Sequence, residues 1–517
     1  MKFNDIELDI QIHKGKIKLN KECAMSENKL FKNSLFFSIG IVLGKAASFL
    51  LLPIYTHYLS DAEYGIATTL VNFSSVLGLI IMLSLRAAMI RFYNEYKDEE
   101  ERKIFIGSLI TLVMISFTVI VFILTAFRDL YAPFVFKGIN FFPLVFAALI
   151  AAGFEGLFSL YQSIWQADQN GKAYSINNAL YLISHVVINS VLVVFAKMGA
   201  GAIVWGAAIN AALFSIYGIV KLLLKNKIRI CLNLPMIRRS VLYSLPILPH
   251  NLSNNISTLM SKLILNHNIS YSASGRYTVA SQISTIMSFV QASLNLAFRP
   301  WFIEQMDRGE IGRKEIKNAS VLICTIYCFV SVGIALFSQE IIYLFTSSQY
   351  RSSWRLVPIL VSALTVAFIY YSHIQTIMYN VKASKFAFVC SITGCMSNIL
   401  LSLILVDPLD SYGVALAYLL SQIILATITV VVSRRTEKVD FGLSKMVLSI
   451  FISSAIMVIF LFPSYMAETE KITLLNILYK FAGLIIAFFA LFWGRYQELL
   501  STIKGVFSRK KSNLNKT

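Results

Sequence analysis

The sequence predicts an all-α integral membrane protein of about 14 transmembrane helices, arranged as two parallel six-helix lobes followed by two C-terminal helices. Three observations carry this prediction: the apolar surplus, the length of the apolar runs, and the side on which the positive charges fall. Of 517 residues, 57% are hydrophobic and 14% charged, against an apolar share of about 45–50% in an ordinary soluble domain. Stretches of about 20 mostly apolar residues cross a hydrocarbon core as a helix. They recur at 34–58, 64–90, 104–126, 140–166, 173–196 and 200–224, then at 241–266, 273–300, 317–345, 354–380, 386–406, 411–433, 443–462 and 473–494. Barrel strands are short and alternate in polarity, whereas these runs are long and continuous.

The 46 Lys and Arg against 27 Asp and Glu give a net charge of +19, a surplus that in another context points to nucleic acid. Position decides against that partner. Alternating the spans from a cytoplasmic N-terminus puts 36 of the 46 on the cytoplasmic side and seven (Arg128, Lys137, Lys197, Arg276, Arg351, Arg355 and Lys471) on the other, with Lys45, Lys262 and Lys480 inside spans. This is the positive-inside pattern, and it requires an even number of spans with both termini cytoplasmic. The expected divisions are a cytoplasmic segment 1–33, an N-lobe 34–224, a basic linker 225–240, a C-lobe 241–433, two further spans in 443–494 and a basic tail 495–517. The linker and tail are expected against anionic headgroups of the lipid bilayer. Residues 1–24 lack the apolar core of a signal peptide, and Met25 is an alternative start that N-terminal sequencing would decide. Cys324, Cys328, Cys390 and Cys395 lie in spans without CxxC or His/Cys spacing, so they read as apolar filler and no metal or cofactor is expected.

An internal duplication supports the two lobes. LSDAEYG ending at Gly65 parallels ISYSASG ending at Gly275, Gln162–Lys172 parallels Gln375–Lys385, and Gly201 parallels Gly413, at offsets of 210, 213 and 212. Six spans per copy keep both copies in one orientation, with a cavity between them that opens to alternate sides as the lobes rock.

Polar residues are costly within spans and trace the water-filled surface. In the eighth span Ser281, Ser284, Ser288, Gln291, Asn295 and Arg299 share one helical face. The fourth span carries Glu155, Ser159, Gln162 and Gln166, and the tenth Tyr371, His373, Gln375, Thr376 and Asn380. Pro246 and Pro249 bend the start of the seventh, beside His250, Asn251, Asn254 and Asn255. Lys45, mid-span, costs about 3 kcal/mol unpaired, so it is expected to pair with Glu155, to form an anion site, or both. Arg86 and Arg299 lie toward the cytoplasmic ends of their spans, Lys262 near the outer end of the seventh, and His185 mid-way along the fifth, where it reads as a hydrogen-bonded core residue. The expected cavity set is Lys45, Arg86, His250, Asn254, Asn255, Lys262, Gln291, Asn295 and Arg299, with Glu155 for ion coupling. In the loop after the first span, Ser60 and Glu63 have the spacing of a capping box.

The tracts FFSIGIVLGKAASFLLLPIYTHYLSDAEYGI, YSLPILPHNLSNNISTLMSKLILNHNISYSASGRYTVASQI and LNLAFRPWF resemble the first, seventh and eighth spans of the polysaccharide-exporting branch of the MOP flippase superfamily, the O-antigen and capsule-unit flippases. The resemblance implies a MATE/MOP-like fold in a bacterial inner membrane. It also implies export of an undecaprenyl diphosphate-linked oligosaccharide from the inner to the outer leaflet, with a polysaccharide polymerase and a chain-length regulator as partners. Where many relatives have an acid beside the basic residue late in span seven, this chain has Ser261 then Lys262. No GxxxxGK[ST] motif for ATP occurs, so the expected drive is an H+ or Na+ gradient or consumption of the product, without a cofactor. A multidrug extruder of the same superfamily would favour carboxylates, whereas the charges within these spans are mainly basic. A membrane glycosyltransferase or polymerase would need acidic groups near a large outer loop, and the loops here are short. The protein is therefore expected to be a transporter and not an enzyme.

Overall fold

The structure, a computed structural model, describes residues 40, 49–380, 383, 386–466 and 472–493, the side chains of 296 and 297 aside. Lys45, the segment 1–33 and the basic tail lie outside the described residues. Among the described residues every regular element is helical, and ten helices are long and apolar enough to cross a membrane.

The last turns of the first expected span, 49–58, lead to Ser60, which caps α1 (Asp61–Met82). The capping box is formed: Glu63 N–H donates to Ser60 Oγ at 3.2 Å, and Ser60 N–H to Glu63 Oε2 at 2.9 Å. Leu83 and Ser84, both left-handed, break α1 from α2 (Leu85–Phe92). Asp98 and three successive glutamates set the start of α3 (Glu99–Ala126), where acids complement the helix dipole. After short α4 (Arg128–Val135) come α5 (Phe146–Ala167), α6 (Gly171–Ser190) and α7 (Ala200–Leu224). Helix α5 sits inside the lobe, tied to α1 by Ser74 Oγ donating to the Ala148 carbonyl at 2.7 Å. Helices α3 and α6 turn residues such as Phe122 and Ile183 outward, as a lipid-facing surface requires.

The end of the expected linker and the first residues of the seventh span form α8 (Leu234–Ser244), which packs on α2 and α3 of the first lobe; a 3₁₀ turn at Leu245–Ile247, where Pro246 denies a backbone donor, leads into α9 (Leu248–Asn268) of the second lobe. The expected eighth span runs through α10 (Tyr271–Ser284) and α11 (Ile286–Asp307), which meet at Thr285, whose N–H donates to the Ser281 carbonyl at 2.9 Å. Then follow α12 (Glu310–Leu336), α13 (Ser338–Phe345), a 3₁₀ segment Ser348–Leu356 and α14 (Val357–Tyr379). Helix α15 (Phe386–Thr436) covers two expected spans and breaks at Asp410. The last pair, α16 (Leu443–Met466) and α17 (Leu474–Phe492), packs on α12. Lys480 of α17, fully buried, donates to Glu340 at 2.6 Å and to Gln339 at 3.0 Å, both in α13.

The lobes meet where α1 crosses α10, and the contact is close to two-fold symmetric. A Cβ on Gly65 would run into the Tyr271 carbonyl, and a Cβ on Gly275 into the Asp61 carbonyl. Each partner is displaced by 210 residues, the offset that the sequence repeat predicts. Thr68 and Thr278, also 210 apart, bring their hydroxyls to 3.2 Å. Small residues let the backbones approach this closely, as association within lipid requires. Around the crossing, Arg276 pairs with Asp61 at 2.8 Å, Ser272 donates to Asp61 at 3.0 Å, and Tyr350 donates to the Leu59 carbonyl at 3.0 Å. The lobes are thus sealed together at the end poor in Lys and Arg. At the basic end, Asn251 reaches Ser84 at 3.3 Å and Arg239 pairs with Glu95 at 2.5 Å.

Candidate functional site

Beneath the sealed crossing lies a cavity of about 390 Å³. The first lobe contributes Tyr64, Thr68, Asn72, Glu155, Tyr181 and His185, and the second contributes Lys262, Thr278 and Gln282. Glu155 sits in the middle of α5 and Lys262 a turn and a half before the end of α9. Among the described residues neither is in an ion pair. An amine, a carboxylate and an imidazole thus share one space of low dielectric, where unpaired charge is costly and attracts a counter-ion. The His185 ring runs parallel to Tyr181 at 6.3 Å, and Asn189 donates to the His185 carbonyl at 2.8 Å.

A second cavity of about 330 Å³ lies within the C-lobe, between α9, α14 and both halves of α15. His250, Asn254 and Asn255 open onto it with Tyr370, Tyr371, Tyr418 and Gln422, and no Lys, Arg, Asp or Glu lines it.

The residues expected in one cavity are therefore distributed. Lys262 and Glu155 share the first, Lys262 lying near the end of α9 as expected. His250, Asn254 and Asn255 share the second. Arg86 holds Gln166 at 2.8 Å, Gln291 donates to Asn295 at 3.2 Å within α11, and Arg299 is exposed. Ser281 and Ser284 instead bond carbonyls of their own helix, at 2.8 and 2.9 Å. In the tenth span His373 bonds the Ile369 carbonyl at 2.9 Å and packs on Phe441. The alternatives posed for Lys45 lie outside the described residues.

Sequence reasoning overlooked Asn72, Tyr64, Tyr181 and Gln282. A usable signal existed: the 210-residue offset pairs Asn72 with Gln282 and Thr68 with Thr278, and all four line the chamber.

A family model described as polysaccharide biosynthesis protein matches residues 30–306. The chain belongs to the polysaccharide biosynthesis protein family. Membership accords with the resemblance of its first, seventh and eighth spans to polysaccharide-exporting members of the MOP superfamily. Solved structures with the same fold include the lipid II flippase MurJ in an inward closed conformation, at 18% identity and a TM-score of 0.67, with 90% of this chain and 99% of that one covered. An inward-facing multidrug resistance MATE transporter of the MOP superfamily aligns at 12% identity and 0.62, covering 77% and 97%. The bent form of the Vibrio cholerae MATE transporter VcmN aligns at 12% and 0.53, covering 82% and 98%. No curated protein sequence matches the chain. At these identities the structural likenesses establish the fold alone, a multi-pass helical one shared with MurJ and the MATE transporters.

Proposed function

We propose that this family member flips an undecaprenyl diphosphate-linked oligosaccharide repeat unit from the cytoplasmic to the outer leaflet of a bacterial inner membrane by alternating access, for O-antigen, capsule or exopolysaccharide synthesis. The observation that carries the reading is the chamber between the lobes, where Lys262 meets no acid in an ion pair among the described residues. An amine so placed offers the diphosphate a partner when the lobes part. In support, the basic residues concentrate on one side of the expected topology, with both termini cytoplasmic, and the lobes close at the opposite end. A polymerase and a chain-length regulator are the partners that would consume the product outside.

Glu155 is the coupling residue in this proposal, because a mid-membrane carboxylate changes charge as access alternates between H+- or Na+-bound and free states. Vesicles containing the protein and a fluorescent undecaprenyl diphosphate-linked oligosaccharide test both parts. Protein-dependent loss of label from the loading leaflet is expected, and Lys262→Ala should slow it. Efflux of organic cations without movement of the lipid-linked sugar would replace this reading by a multidrug extruder. A Glu155→Gln variant with undiminished dependence on the ion gradient would remove the coupling assignment.

A further inference from the structure

The C-lobe cavity differs from the inter-lobe chamber in one respect that bears on what each can hold. The chamber contains Glu155 and Lys262, whereas the C-lobe cavity is lined by no Lys, Arg, Asp or Glu. Its one imidazole is engaged, with His250 Nδ1 at 2.8 Å from Ser391 Oγ. The side chains of Asn254, Tyr371, Tyr418 and Gln422 line it without a hydrogen-bond partner among the described residues. In a chain that spans a membrane, polar groups left this way need water or a ligand to satisfy them. Two amides supply donors and acceptors in pairs, and each phenol supplies one donor on an apolar ring.

We infer that this cavity is a subsite for one uncharged pyranose ring of the transported oligosaccharide, held by Asn254, Tyr371, Tyr418 and Gln422 and closed to uronic acids. The inference rests on the flippase reading for the identity of its cargo. A pyranose has hydroxyls around its rim and C–H groups on its faces, which matches amides beside phenol rings. About 330 Å³ lies at the small end of ligand sites, room for a single ring rather than a chain. A carboxylate here would lose its water and find no cation, so a charged sugar is rejected by desolvation. Charge and sugar are therefore recognised in separate places, the diphosphate beside Lys262 and a neutral ring in the second lobe.

The test is saturation-transfer NMR on the full-length protein in lipid nanodiscs, with methyl β-D-glucopyranoside and methyl β-D-glucopyranosiduronate as probes. Transfer to the neutral glycoside is expected, with the glucuronide at least about tenfold weaker. Gln422→Leu should lower transfer to the neutral probe several-fold. Tyr418→Phe, which keeps the ring and the fold, should lower it by about two- to tenfold through loss of one hydrogen bond. Equal transfer to both probes, or transfer indifferent to both substitutions, would overturn the subsite. Flipping of the lipid-linked oligosaccharide with no saccharide contact here would overturn it while leaving the flippase reading intact. Neutral-sugar binding here without flipping would uphold the subsite and defeat that reading.

Discussion

Replacing Gly65 with alanine is expected to pry apart the crossing of α1 and α10. The new methyl would meet the backbone carbonyl of Tyr271, an atom that cannot rotate away as a flexible side chain would. The helices must then separate, or one must shift along the other, and overpacking of this kind costs about 1–3 kcal/mol. In the proposed alternating access this contact belongs to the sealed state, so the cost falls on that state alone and lowers the ratio of sealed to open molecules by about 5- to 160-fold. A reporter lies one turn away, where the Thr68 and Thr278 hydroxyls are 3.2 Å apart. With both replaced by cysteine in a cysteine-free background, oxidative cross-linking should be fast, and adding Gly65→Ala should slow it by a factor in that range. Gly275→Ala should act alike, because its methyl would meet the Asp61 carbonyl. Unchanged cross-linking in both variants would refute the claim that these glycines set the sealed state.

Further tests concern charges. Arg276→Ala removes the ion pair with Asp61, whose side chains are 36% and 17% exposed. At about 0.5–1 kcal/mol for such a pair, cross-linking at the same reporter should slow by about two- to fivefold, and high salt should erase the difference. Lys480→Met leaves Glu340, its side chain 18% exposed, without its partner, which should cost about 1–3 kcal/mol and lower the melting temperature in detergent. Lys480→Met with Glu340→Gln should recover most of that loss. Asp440, in the loop before α16, accepts from Lys317 of α12 at 2.6 Å, which holds its carboxyl below the ordinary value of 3.8. A depressed carboxyl stabilises the fold above its unfolded pKa and loses that contribution as pH falls through the folded one. Protease protection at 437–442 should therefore persist at pH 5 and decline below about pH 3.8, and Asp440→Asn should abolish the dependence.

The helical membrane architecture and the duplication were legible because both are written in local or periodic terms. Apolar length marks a span wherever it occurs, Ser60 and Glu63 cap a helix by their spacing alone, and Gly65 and Gly275 announce a symmetric crossing once the offset is known. The chamber was less legible, since membership depends on which faces of distant helices turn toward one another. Lys262 shares space with Glu155, 107 positions earlier, a proximity that depends on how the two lobes pack and that no local pattern encodes. In the expected stripe of the eighth span, Ser281 and Ser284 turn their hydroxyls to carbonyls of their own helix and Gln291 turns to Asn295, local choices that a shared helical face does not announce. The second cavity was glimpsed through His250, Asn254 and Asn255, but its lack of charge emerged only when α14 and α15 closed around it.

The clamp of Lys480 on Glu340 and Gln339 has a mechanical consequence. With α17 bolted to the second lobe and α16 wedged beside it, the appended helices travel as ballast on that lobe. The two halves, alike by duplication, are then unequal in girth and in drag against the lipid. Any rocking is best described as the lighter first lobe swinging on a broad, slow pedestal, and a spin label on α5 should move farther in the membrane frame than one on α16.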